Sequence, residues 1–161
     1  MANVIENETP PTKGLNPERV AEFLGGAKIL RRPLRSPLDA HEMILNGLPA
    51  ESLRYLLDNL LVIKMTAALE NAVGMSLRTI QRLKKKPAIA LNQEQSGRTW
   101  KFAEILARAT EVFGSKEEAE KWLERPAIGL DRRRPIDLLG TPAGVELIEN
   151  FLTQLDYGVY V

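Results

Sequence analysis

Residues 65–86 read MTAALENAVGMSLRTIQRLKKK, and this stretch decides how the rest of the chain is interpreted. Apolar residues recur at helical spacing on both sides of Gly74, at Leu69, Val73, Ile80 and Leu83. Gly74 can adopt the left-handed backbone that ends a helix, and Met75 follows it as a plug for the corner. The pattern predicts a helix-turn-helix in which Ser76 caps the second helix.

The outer face of the second predicted helix is polar and basic. Its candidate DNA contacts are Ser76, Arg78, Thr79, Gln81, Arg82 and Lys85. Such side chains can reach base edges in a major groove, although a basic amphipathic helix is often only a solvated face. Glu70 argues against DNA binding, because the motif normally has a small residue there so that the two helices can approach closely.

The segments on either side of this stretch also predict helices, so the expected fold class is all-α. Helix start signals stand at Asn16, Ser36, Ser115 and Thr141. Each is a capping residue that is followed directly by a proline or, at Ser115, by a glutamate three residues later. The predicted helices cover about 17–24, 37–47, 49–61, 92–113, 116–123 and 142–155, with a short helical turn at 135–139. The longest, 92–113, is expected to be the spine of the core, and Trp122 is expected to be a core residue and not a site residue.

Composition excludes several classes of protein. The 161 residues include no cysteine and one histidine, which leaves no disulfide framework, thiolate metal site or cysteine nucleophile. His41 lies in line with Leu38 and Leu45 on one predicted helix face, which favours a buried or interfacial role over general base catalysis. No phosphate loop, zinc signature or nucleophile elbow is present, so we expect no catalytic residue, cofactor or metal. No apolar run approaches the ~20 residues that span a bilayer, and we expect a soluble cytoplasmic protein.

The C-terminal forty residues differ in charge from the predicted DNA-binding helix. The net charge is only +1, but residues 76–86 carry five basic residues and no acid, while 135–161 carry four acids and no lysine or arginine. Residues 122–161 read WLERPAIGLDRRRPIDLLGTPAGVELIENFLTQLDYGVYV, which is an arginine-rich loop, an acidic amphipathic helix and an aromatic tail. The tail either inserts its two tyrosines into a partner's cleft or folds back onto the core.

Several of these motifs together resemble one family. WLxRP, PIDLL, TPAG and the ending LDYGVY are similar to the C-terminal toxin-binding domain of the Xre/MbcA/ParS antitoxins. The resemblance extends to LGGAKILRRPLRSPLDAHE, NGLP, SLRTIQR and EVFG, and covers roughly residues 23–161 in the family's order. The chain departs from the family at Glu70 and at Asp131-Arg132, where such sequences more often have glycine.

The resemblance implies a protein that neutralises a toxin and binds DNA. Its expected partner is a toxin with a RES domain, which consumes NAD; the antitoxin obstructs the toxin's active site and, usually as a homodimer, represses the shared operon. The implied toxin contacts are Tyr157, Gly158, Val159, Tyr160 and Val161, flanked by Arg132, Arg133 and Arg134. The implied domains are a mobile arm at 1–14, a helical region at 15–90 that includes the helix-turn-helix at 65–86, and a toxin-binding domain at 91–161. The alternative is a stand-alone transcriptional regulator whose tail serves dimerisation.

Overall fold

A computed structural model describes residues 15–158, and every regular element in that range is helical. The elements are α1 (Pro17–Phe23), α2 (Gly26–Leu30), α3 (Pro37–Asn46), α4 (Ala50–Asp58), α5 (Ala67–Val73), α6 (Leu77–Lys84), α7 (Gln93–Phe113), α8 (Lys116–Glu124) and α9 (Pro142–Asp156). Two 3₁₀ turns, Ile128–Leu130 and Pro135–Leu138, lie between α8 and α9. The predicted all-α fold is confirmed.

Side-chain caps start the helices where the sequence places them. The Asn16 side chain accepts a hydrogen bond from the Glu18 backbone, and Ser36 forms a reciprocal capping box with Asp39. Asn92 does the same with Gln95 at the start of α7. These side chains satisfy backbone N–H groups that have no partner inside the helix, which explains why the predicted starts are confirmed.

The structure corrects two predicted segments. The sequence predicts no helix between residues 24 and 37, but Gly26 begins the short helix α2. The helix predicted to run to about Leu61 ends at Asp58, and Leu61 is exposed. The amides of Leu61 and Ile63 are hydrogen-bonded to Glu120 of α8, so the chain leaves the helix early to meet a distant carboxylate.

Helix α7 is the spine of the core, as predicted. It packs against α1, α3, α5, α8 and α9, and its Phe102, Ile105 and Leu106 side chains are buried. Trp122 is half-buried at one end of α7, with its ring 5.1 Å from that of Phe113 and stacked 6.0 Å from that of Phe151. The predicted packing role of Trp122 is confirmed.

Of the two roles predicted for His41, buried or interfacial, the buried one is wrong. His41 is exposed on α3, and so are its neighbours Leu38 and Leu45. The helical face formed by Leu38, His41 and Leu45 lies on the outer side of α3, while Ala40 and Met43 face the core.

Between residues 15 and 158, none of the helices has the length and apolar character needed to cross a membrane.

Candidate functional site

Helices α5 and α6 are joined by a three-residue turn, and α5 packs on α7 while α6 packs on α4. Gly74 ends α5 with a left-handed backbone, φ 70°, which a residue with a Cβ adopts only at a cost. The Ser76 hydroxyl accepts a hydrogen bond from the Thr79 amide and so caps α6. The residues of the predicted apolar face are buried, as is the corner residue: Leu69, Val73, Met75, Ile80 and Leu83. Packing thus fixes which face of α6 points outward.

The structure brings the six predicted DNA contacts together along the outer side of α6. Ser76, Arg78, Gln81, Arg82 and Lys85 are exposed, and Thr79 is half-buried beside the cap. Lys84, by contrast, turns toward α4 and donates a 2.8 Å hydrogen bond to Asp58. That bond lowers the pKa of the Asp58 carboxyl, against a smaller opposing effect of burial. The resulting basic face is Arg78, Arg82 and Lys85.

Glu70 forms a hydrogen bond with the first residue of α6. Its Oε1 accepts a hydrogen bond from the backbone amide of Leu77 at 2.6 Å, and its own carbonyl accepts from Gly74 and Met75. The carboxylate therefore lies at the positive end of the α6 dipole. A helix N-terminus is a common phosphate-binding position, so Glu70 places a negative charge where a DNA phosphate is otherwise favoured.

The loop that contains Arg132, Arg133 and Arg134, between α8 and α9, is called the arginine loop, and backbone hydrogen bonds close it. Ala127 donates to the carbonyl of Arg133 at 3.1 Å, and Arg132 donates to the carbonyl of Ala127 at 2.9 Å. Asp131 and Arg132 both have left-handed backbones, with φ of 56° and 60°. This explains why glycine suits these two positions. Arg132 and Arg133 are exposed.

Arg134 differs from the other two arginines of the loop. Its guanidinium makes two hydrogen bonds to the Asp137 carboxylate, of 2.8 and 2.9 Å. Those bonds raise the pKa of Arg134 further above its ordinary value. Arg134 therefore braces the base of the loop, while Arg132 and Arg133 extend into solvent.

Helix α9 presents the start of the aromatic tail. It is anchored by buried Ile148 and Leu152 and by Gly144, where a Cβ would overlap the carbonyl oxygen of Leu138. Tyr157 ends the helix and is 55% exposed, and Gly158 follows with a φ of 71°. Val159, Tyr160 and Val161, the rest of the predicted toxin contacts, lie outside the described residues.

One ion pair and one side-chain hydrogen bond hold α9 on α7. Lys101 donates hydrogen bonds of 2.8 Å to Glu104 and to Glu149, and Arg108 donates one of 2.6 Å to the Thr153 hydroxyl. Burial alone would lower the pKa of Lys101, but the bonds to the two carboxylates outweigh it and raise that pKa. Because Glu149 is engaged in this way, the outward acidic charges of α9 are Glu146 and Asp156.

Two residues that connect distant parts of the fold, Glu120 and Arg98, are not predicted from the sequence. The fully buried Glu120 accepts hydrogen bonds from the amides of Leu61, Val62 and Ile63. Arg98 donates to the carbonyls of Asn71 and Ala72 in α5 and to that of Leu139 before α9. Neither residue has a local signal, since each resembles an ordinary charged position on a solvated helix face.

The comparisons with known proteins agree with this geometry. Residues 108–158, which contain α8, the arginine loop and α9, match the model of the Antitoxin Xre/MbcA/ParS C-terminal toxin-binding domain. The chain is also 27% identical over 126 residues to "Antitoxin Xre" of Pseudomonas putida KT2440, covering 78% of this chain and 76% of that protein. In fold and in these matches the chain is similar to helical antitoxins that have a C-terminal toxin-binding domain. Together the two matches support an antitoxin of the Xre/MbcA/ParS family.

Proposed function

We propose that this chain binds a RES-type, NAD-consuming toxin, blocks its active site with the C-terminal tail, and represses its own operon through α6 as a homodimer. The observation that carries the proposal is the position of Tyr157. It ends a helix inside the region that matches a toxin-binding domain, and more than half of its side chain is exposed. The protein itself catalyses no reaction in this proposal and acts by filling the active site of the toxin.

The chemistry of the tail suits this role. Tyrosine adds a large, rigid apolar area and a hydroxyl at low entropic cost, the profile of an interface anchor. Gly158 has a backbone conformation that lets the chain turn after Tyr157. A cleft that accepts the phosphates of NAD is expected to be electropositive, so Glu146 and Asp156 on α9 would favour approach to it. In this proposal Arg132 and Arg133 add toxin contacts to those of the tail, which also includes Val159, Tyr160 and Val161.

A growth assay with the neighbouring toxin gene tests the proposal. Expression of that toxin alone is expected to arrest growth, and co-expression of the full chain to restore it. The chain without residues 157–161 should accumulate as a folded protein but give no protection. Full protection by the shortened chain would contradict the role of the tail.

The basic outer face of α6 also fits a second candidate, a stand-alone transcriptional regulator. That function predicts binding to the chain's own promoter but no effect on any adjacent toxin. An adjacent gene for a RES-type protein whose toxicity the chain suppresses favours the antitoxin. Promoter binding in the absence of such suppression favours the regulator.

A further inference from the structure

Ile128 has the most exposed large apolar side chain among residues 15–158, at 87%. A single exposed apolar residue is ordinary on a protein surface and by itself indicates nothing. Ile128 differs because it stands on a closed, conformationally unfavourable loop inside the region that matches a toxin-binding domain.

The loop holds Ile128 in place at a conformational cost. Backbone hydrogen bonds join Ala127 to Arg133 and Asp131 to the carbonyl of Ile128. The left-handed conformations of Asp131 and Arg132 are disfavoured for residues with a Cβ, less so for aspartate than for arginine. Backbone strain of this kind is concentrated at binding sites, where the surrounding structure maintains it.

The loop is seated on α9, next to a second exposed apolar side chain. A Cβ at Gly129 would lie 2.5 Å from Cε2 of Phe151, so the loop backbone rests directly on that ring. Leu147 lies one helical turn before Phe151 and is 54% exposed. The contact therefore brings the Ile128 loop to the part of α9 that carries Leu147.

We infer that Ile128, Leu147, Arg132 and Arg133 form a loop patch that docks on the toxin outside the cleft filled by the tail. Its complement is an apolar pocket bordered by carboxylates, because two exposed guanidinium groups flank the apolar residues. The toxin is the expected partner of this patch because all four residues lie inside the region that matches a toxin-binding domain. The inference rests on the proposed function, because it takes the toxin as the partner.

The affinity of the purified full-length chain for the purified neighbouring toxin tests the loop patch. Ile128→Ser is expected to weaken binding at least ~10-fold, as truncation of an interface anchor does. The matched control is Leu38→Ser, at a leucine on α3 that is 64% exposed, and this variant should bind within twofold of the wild type. Both variants should unfold at the wild-type denaturant midpoint, because neither side chain is in the core. Arg132→Glu together with Arg133→Glu should weaken binding and reduce its dependence on salt.

The outcomes separate this inference from the proposed function. Wild-type affinity in Ile128→Ser, with loss of inhibition on removal of residues 157–161, overturns the loop patch and leaves the role of the tail intact. No binding by the wild-type chain overturns both. If Ile128→Ser converts a dimer of this chain to a monomer and leaves toxin affinity unchanged, the patch joins two copies and the inference is wrong.

Discussion

The Oε1 atom of Glu70 lies 2.6 Å from the backbone nitrogen of Leu77, so a side chain of α5 caps the first turn of α6. The bond stabilises the junction of the two helices. It also places a carboxylate at the end of α6 that would otherwise attract a phosphate.

Replacing Glu70 with glutamine should strengthen DNA binding. The Glu70→Gln variant keeps an oxygen that can accept from Leu77 but removes the negative charge. One charge at about 4 Å in water corresponds to about 1 kcal/mol, so affinity for the chain's own promoter should rise about fivefold. A mobility-shift titration measures the change, with Glu117→Gln on α8 as the control. Unchanged or weaker binding by Glu70→Gln would show that α6 does not approach phosphates through its N-terminus.

Removing two arginines from the outer face of α6 should weaken DNA binding by a few kcal/mol in total. Both side chains of the Arg78→Ala, Arg82→Ala double variant are exposed, so the fold should be unaffected. Loss of each phosphate contact should make the plot of log affinity against log salt shallower by about 0.9. Titrations at several salt concentrations measure the slope, and Lys121→Ala on α8 is the control. An unchanged slope in the double variant would exclude these arginines from the DNA interface.

Removal of the buried Glu120 carboxylate should strongly lower the stability of the protein. Alanine at this position leaves the amides of Leu61, Val62 and Ile63 inside the protein without their acceptor. Burial also lowers the pKa of Lys116, against the opposing effect of Glu120, so the lysine loses a compensating charge as well. The free energy of unfolding in urea should fall by about 3–5 kcal/mol. Glu117→Ala, on the exposed side of the same helix, should cost under ~1 kcal/mol. Similar losses in the two variants would contradict the anchoring role of Glu120.

The capping box of α3 should make stability depend on pH in the acid range. Hydrogen bonds from the Arg35 and Ser36 backbones hold the pKa of Asp39 below its ordinary value of 3.8, against a smaller effect of burial. A carboxyl with a lowered folded pKa stabilises the protein above pH 3.8, and that contribution disappears as pH falls through the lower folded pKa. The stability difference between the wild type and Asp39→Asn should therefore be largest near neutral pH and shrink below about pH 4. A difference that stays constant with pH would contradict this.

Local signals explain why most of the fold could be predicted from sequence. Caps such as Ser36 and Asn92, and apolar spacing such as Ile80 to Leu83, act within one or two helical turns. Glu120 and Arg98 act across tens of residues, and nothing near them in the chain distinguishes them from solvated charges. The early end of α4 depends on Glu120 and was missed for the same reason.

The candidate site was predicted only in part. The positions of the α6 residues follow from the turn at Gly74, and Tyr157 follows from the length of α9. The capping role of Glu70 and the exposure of Ile128 depend on how loops close in three dimensions, which spacing alone does not specify. The roles of the six α6 residues in DNA binding, and of the tail in toxin binding, stay predictions.

The most direct test of the central claim compares inhibition of the toxin by the full chain and by the chain ending at Asp156. NAD consumption by the purified neighbouring toxin is followed while each protein is added in increasing amounts, and binding is measured in parallel. The full chain is expected to stop NAD consumption. The shortened chain should still bind the toxin through the loop patch, although more weakly, and should not stop NAD consumption. Complete inhibition by the shortened chain would contradict the claim that the tail blocks the active site.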